Sequence, residues 1–302
     1  MRAQYRWQLR SRTLELGTRT LVMGVVNVTP DSFSDGGKFL QQESAIAHAL
    51  QMLDEGADMV DVGGESTRPG TRVQPDESGH KQIVTEDEEL RRVMPVIEGV
   101  RKERSDAILS IDTYKSGVAR RAVDAGAEIV NDVSAFQWDS AMAHVCAELR
   151  CGVVLIHTRG QPSEWQHLPR ESDITSLVIH DLANRVQVAL HSGGERQRIV
   201  LDPGFGFGKN FEENYPLLAH LDRLKRLDFP LLAGTSRKSF VGRTVGRRRC
   251  GKDAPPDQRL YGSLAAMVIG ILGGTHIVRV HDVRPAIEAA AIADEVLAVM
   301  TT

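Results

Sequence analysis

Polar side chains close one apolar run after another along this chain. Asn27, Glu65, Asp112, Asn131 with Asp132, His157, Asp202, Ser236, and Arg279 with His281 each end such a run or follow it directly. A helix cap or a strand-end ion pair would account for any one of them. The whole set is different, because capping has no use for Asn, Asp, Arg and His together. Two carboxylates, Asp112 and Asp202, stand among the cations Arg68, Arg237, Lys238, Arg279 and His281. A buried carboxylate accepts two N–H donors at once, as an aminopyrimidine edge offers them. Arginine and histidine suit phosphate. The combination predicts a flat, donor-rich heterocycle joined to an anionic leaving group.

The loops beside these residues are rich in turn formers. NVTPDSFSDGG (27–37) places Phe33 as an apolar residue in a polar loop; GGESTRPG (63–70), DPGFGFGKN (202–210) and TSRKS (235–239) follow. Gly204, Gly206 and Gly208 do not make a phosphate loop, which would need Gly at Pro203 and Ser or Thr at Asn210. They read as a shaped turn, with Phe205 and Phe207 able to offer a ring face to a flat ligand. No Gly-x-Ser-x-Gly elbow and no metal-ligand spacing is present.

Such scattered groups need a frame that gathers them. Eight apolar, β-branched runs lie at 21–27, 58–63, 108–112, 128–132, 152–157, 199–202, 230–235 and 275–281. They are apolar almost throughout, as strands buried on both faces are. Helical periodicity marks 44–55, 86–104, 115–125, 141–149, 174–191, 215–224, 260–272 and 285–300. Strict alternation predicts a single-domain (β/α)8 TIM barrel over 21–302, after an N-terminal extension of residues 1–20. An open doubly wound sheet is the other arrangement that alternation allows. In a barrel all eight strand ends share one face, so the polar set would converge. Long polar segments at 66–85 and 158–172 read as binding loops or surface insertions, and Arg247–Arg249 as a solvated loop.

Composition narrows the partners. With 37 basic and 40 acidic residues the formal charge is −3, which gives no support for nucleic-acid or anionic-membrane binding. Three cysteines in no metal or disulfide pattern suit a reducing cytoplasm. The first 17 residues carry Arg2, Arg6, Arg10 and Arg12 but no apolar core of a signal peptide. The longest apolar run, 264–272, is broken by Gly270 and falls short of the roughly 20 residues of a membrane span.

The motifs closely resemble those of the dihydropteroate synthase family. GVVNVTPDSFSDGG (24–37), DVGGESTRPG (61–70), SIDTYK (110–115), NDVS (131–134), LDPGFGFGKN (201–210), TSRKSFVG (235–242) and IVRVHDV (277–283) are collinear and cover nearly the whole chain. The resemblance implies a barrel that condenses 6-hydroxymethyl-7,8-dihydropterin diphosphate with 4-aminobenzoate, with Mg2+ required. It implies pterin contacts from Asp112, Asn131, Asp202 and Lys238, with Ile156, Phe207 and Gly234 lining the slot. Asn27, Arg279 and His281 would hold the diphosphate, Asn27 also serving as a Mg2+ ligand. Phe33, Thr67, Arg68, Pro69 and Ser236 would form the aminobenzoate side. Catalysis would rest on Asp112, Lys238, Arg279 and His281. The small-residue-rich segments 260–272 and 285–300 imply a homodimer face, or else pack on the barrel. The second loop is longer than the family's usual one, Thr158–Arg159 stands where Met-Gln is frequent, and Thr235 where Met is. A corrinoid methyltransferase barrel would not need the Ser-Thr-Arg-Pro and Ser-Arg-Lys-Ser segments. A paralogue that only binds pterin would be expected to lose Asn27, Arg68, Lys238, Arg279 and His281.

Overall fold

A computed structural model describes residues 2–28, 38–67, 71, 73, 84–249 and 251–300, with backbone alone at 38–41. Two short strands, β1 (Tyr5–Gln8) and β2 (Thr13–Leu16), pair as an antiparallel hairpin. Eight parallel strands then run β3 (Leu21–Asn27), β4 (Met59–Gly63), β5 (Leu109–Asp112), β6 (Ile129–Asp132), β7 (Gly152–Ile156), β8 (Ile199–Asp202), β9 (Leu232–Ala233) and β10 (Ile277–Val280). Their order is β8-β7-β6-β5-β4-β3-β10-β9. A parallel bridge between Leu201 and Leu231 joins the two outermost strands and closes the barrel. All eight apolar runs are strands, and the open-sheet alternative falls away.

The helices are α1 (Lys38–Asp54), α2 (Glu86–Glu103), α3 (Ser116–Asp124), α4 (Met142–Leu149), α5 (Ile174–His191), α6 (Asn214–Ala219), α7 (Ser239–Arg249), α8 (Leu260–Leu272) and α9 (Val283–Val299). Local chemistry starts them. Thr85 caps α2 by accepting from the Glu88 N–H at 3.2 Å, and four acids in the first turn complement the helix dipole. Asp173 caps α5 through Ser176 N–H at 3.0 Å. One expectation is corrected: Arg247–Arg249 are not loop but the last turn of α7, where positive charge meets the negative end of the dipole. Among the described residues no helix is long and apolar enough to cross a membrane.

Apolar side chains fill two compartments. One lies between strands and helices. The other lies inside the barrel, where Leu21, Met23, Met59, Ile129, Val154, Val200, Leu232 and Ile277 meet Trp7, Leu9 and Leu16 of the hairpin. The N-terminal hairpin therefore stoppers the end of the barrel opposite the strand C-termini. Gly152 makes room for it: a Cβ there would lie 2.5 Å from Leu9 Cδ2 and 3.2 Å from the Trp7 ring. Trp7 Nε1 donates to the Arg198 carbonyl at 2.9 Å, and Arg198 Nη1 donates to the Leu9 carbonyl at 2.7 Å.

Trp7 is only 1% exposed, so Trp7→Ala should cost roughly 3–5 kcal/mol of stability as lost burial plus a cavity. Arg6→Ala, removing a pair exposed by 75% and 64%, should cost at most about 1 kcal/mol. Denaturant titration of the two variants reads the contrast.

Candidate active site

Inward-facing positions recur every second residue along a strand. On β4, β6, β8 and β10 the lower inward residues are Met59, Ile129, Val200 and Ile277. Two residues further on come Asp61, Asn131, Asp202 and Arg279. A barrel interior is built of layers of four side chains from alternate strands. Here an apolar layer carries a polar one above it.

The polar layer is cross-linked through the barrel. Arg279 Nε donates to Asp61 Oδ2 at 2.6 Å, and Arg279 Nη2 to Asp112 Oδ2 at 2.6 Å. Asn131 Nδ2 donates to the same Asp61 oxygen at 2.9 Å. None of these strand pairs is adjacent in the sheet, so the side chains meet in the interior. Asp61 Oδ1 and Asn131 Oδ1 are buried without a partner among the described residues. Burial raises Asp112 above the ordinary carboxylate range, Arg279 pulls it back and Asp61 adds to the rise. Burial raises Asp202 to about 6 despite the Gly204 N–H and the nearby lysines.

The loops complete the mouth. Asp202 Oδ1 accepts from the Gly204 N–H at 2.6 Å. Phe207 lies half-buried, with Lys238 Nζ 3.6 Å from its ring centre. Burial, then Arg279, lowers Lys238 to about 8. A Cβ on Gly234 would stand 3.8 Å from Arg279 Cβ and 3.9 Å from Asp202 Oδ2, so the position borders both. Ile156 ends β7 and lines the same interior.

Ser236 and His281 form the outer rim. Ser236 Oγ accepts from the His281 backbone N–H at 3.2 Å and lies 3.1 Å from His281 Nδ1. Burial and Arg279 lower His281 to about 3, so the ring is neutral. Asn27 closes β3 with an exposed side chain, and Thr67 is half-buried at the edge of the second loop. Phe33, Arg68 and Pro69 lie outside the described residues.

Several strand-end groups turn elsewhere. Asp132 accepts from Ser134 N–H and Phe136 N–H at 2.7 Å each, shaping its own loop. The His157 ring faces α5, with Nε2 at 3.1 Å from Asp181. Glu65 pairs with Lys115, which also contacts Glu89. The Arg237 guanidinium is held by Asp282 at 2.6 and 3.1 Å rather than facing the mouth. Phe205, 1% exposed, packs in the core against Phe240. Asp61 and Lys209 are the groups that sequence reasoning passed over. A lone carboxylate inside an apolar run was the available signal for Asp61, since a buried charge demands a partner.

The sequence profile of the pterin binding enzyme family matches residues 23–281. A dihydropteroate synthase of Clostridium beijerinckii is 41% identical over 288 residues, covering 95% of this chain and 98% of its own length. The chain belongs to the dihydropteroate synthase family. Among solved structures, the Xanthomonas albilineans dihydropteroate synthase with 4-aminobenzoic acid is 41% identical with a TM-score of 0.85, covering 98% of this chain and 99% of that one. The same enzyme in complex with 7,8-dihydropteroate is 40% identical with a TM-score of 0.81, covering 97% and 99%. Dihydropteroate synthases thus share this barrel over its full extent.

Arg279→Met should leave Asp61 and Asp112 buried without their cation, at a cost of about 3–5 kcal/mol at neutral pH. Without the guanidinium, Asp112 moves further up from its already raised position. An acid raised on folding costs nothing while both states are protonated, costs more as pH climbs from its unfolded-state to its folded-state value, and costs in full above the latter. The deficit of the variant against wild type should therefore shrink in mild acid and be full at alkaline pH. Melting curves across pH read it.

Proposed function

We propose that this chain condenses 6-hydroxymethyl-7,8-dihydropterin diphosphate with 4-aminobenzoate to give 7,8-dihydropteroate and diphosphate. The observation that carries the reading is the polar layer itself: buried acceptors on Asp61, Asn131 and Asp202 and the half-buried Asp112, ringed by Arg279 and Lys238. Acceptors in that density need donors. The amino and ring N–H groups of a pterin supply them, and the apolar walls at Ile156 and Phe207 suit its faces.

In this reading Asp112, Asn131, Asp202 and Lys238 bind the pterin, with Ile156, Phe207 and Gly234 along its slot. Arg279, His281 and Asn27 hold the diphosphate. Arg279 spends Nε and Nη2 inside the protein, and the remaining donors of its fork serve the leaving group. The neutral His281 ring brings one N–H donor to it. Thr67, Arg68, Pro69, Ser236 and Phe33 receive the aminobenzoate. Its aniline nitrogen is neutral and nucleophilic, so attack on the pterin methylene asks for no strong base. The residues that hold the leaving group carry the developing negative charge.

Mg2+ fits this donor set in one way. Among the described residues no group of three or more His, Cys, Asp or Glu side chains is placed to hold a metal. Magnesium commonly binds through few protein ligands together with substrate phosphates and water. The Asn27 amide oxygen would be such a ligand. When bound beside the diphosphate, the ion would neutralise its charge and improve it as a leaving group.

We place the reaction in the cytoplasm and the enzyme as a homodimer. Support for the dimer comes from α8 and α9, neighbouring helices that present Tyr261 at 84%, Ile269 at 49% and Ile292 at 70% exposure. Tyr261→Glu with Ile292→Glu should convert a dimer to a monomer in sedimentation; an unchanged sedimentation coefficient would refute this face.

An assay for diphosphate release that depends on both substrates tests the reaction, and its absence overturns the reading. Asp202→Asn should weaken pterin binding by roughly 10–100-fold, since an amide mismatches paired donors. Calorimetry with the pterin substrate alone measures that loss.

A further inference from the structure

Beside the pterin subsite lies a buried ammonium to which the reaction as derived gives no task. Lys209 is 8% exposed. Its Nζ stands 2.8 Å from His157 Nδ1, 2.8 Å from the Gly204 carbonyl, 3.2 Å from the Phe207 carbonyl and 3.3 Å from the His157 carbonyl. The Asp181 carboxylate can only accept and so takes the His157 ring proton on Nε2, which leaves Nδ1 to accept from Lys209 Nζ. The Nε2 N–H points at Asp181 on α5, 3.1 Å away. Donation runs one way, from Lys209 through His157 to Asp181, from the loop after β8 to the outer wall of the barrel.

The loop that Lys209 grips has little reason to hold one shape unaided. Gly204, Gly206 and Gly208 sit at φ +68°, +82° and +64°. Glycine reaches this region freely but equally leaves it. Two loop carbonyls converge on the one ammonium, and two pterin-side groups depend on the result. Gly204 N–H, in the gripped turn, aims Asp202 through its 2.6 Å bond. Phe207, whose own carbonyl is gripped, lies between the Trp165 ring at 5.5 Å and Lys238 Nζ at 3.6 Å.

We propose that Lys209 is a positioning residue for the pterin subsite: its ammonium, oriented by His157 and Asp181, folds residues 203–208 into the shape that aims Asp202 and carries Phe207 beneath Lys238. The proposal rests on the pterin reading given above. Lys209 does not itself face the slot, since its donors are directed at the loop and at β7.

Lys209→Met keeps the bulk and removes the donors. In the ligand-free protein, amide exchange over residues 204–208 should quicken about tenfold or more while the barrel strands exchange as in wild type. In steady state, KM for the pterin diphosphate should rise about tenfold or more, with kcat and the aminobenzoate KM within about threefold at saturating pterin. Asp181→Ala, at an outer-helix side chain 39% exposed, should move the same loop amides and the same KM in the same direction but less. Loop exchange unchanged in Lys209→Met overturns the proposal. So does exchange that quickens throughout the barrel with both KM values moving together, the mark of a merely structural cation. An unaltered loop in Asp181→Ala removes the outer arm of the chain. A wild-type protein without turnover would sink the proposed function, while ligand-free loop exchange would still decide the role of Lys209.

Discussion

A guanidinium sunk into the mouth of a barrel lets the acceptors around it exist. Asp61 and Asp112, on the paired strands β4 and β5, reach the same cation from across the barrel, each at 2.6 Å. Burying carboxylates without a partner would cost several kcal/mol each, and protonation would replace charge. Arg279 cannot deprotonate and offers a planar fork, so one side chain serves two acids and keeps donors in reserve. Removing charge from this layer by ordinary apolar packing would give a sounder barrel and no site.

Around that layer the labour divides between rigid and shaped parts. The strands supply Asp61, Asp112, Asn131, Asp202 and Arg279 at positions fixed by sheet register. The loops supply what must curve over a ligand. The 235–239 turn carries Arg237 at φ +56°, held by Asp282 and by the Ser263 hydroxyl at 2.9 Å, and so delivers Lys238 inward. The glycine-rich turn after β8 delivers Phe207 from the opposite side. Lysine and phenyl ring meet at 3.6 Å, joining the two loops across the slot.

The frame was legible because its strands are buried on both faces, which makes each an apolar run with a polar end. Which way a strand-end residue turns was not legible. Asn131 and Asp132 are neighbours in sequence, yet one enters the barrel and the other folds back on its own loop. His157 likewise stands at a strand end but faces the helices. Spacing cannot separate such cases, because the sign of the pleat depends on register. Lys209 was hidden by its glycines, which read as a turn without saying what pins it. Helix α7 was obscured by Gly242 and Gly246, poor helix formers that are tolerated for tight packing: a Cβ on Gly246 would meet the Lys252 carbonyl at 1.8 Å. The hairpin left a faint trace in the alternation of Tyr5–Gln8, too short to weigh against the polar residues around it.

The ring of strands is not equally strong all the way round. β9 is two residues long, and it meets β8 through the single bridge from Leu201 to Leu231. Asp202 stands on one lip of this seam and Lys238 follows from the other. A ligand gripped by both would act as a suture, drawing together the place where the cylinder would otherwise part first, so that filling the slot and closing the hoop become one event.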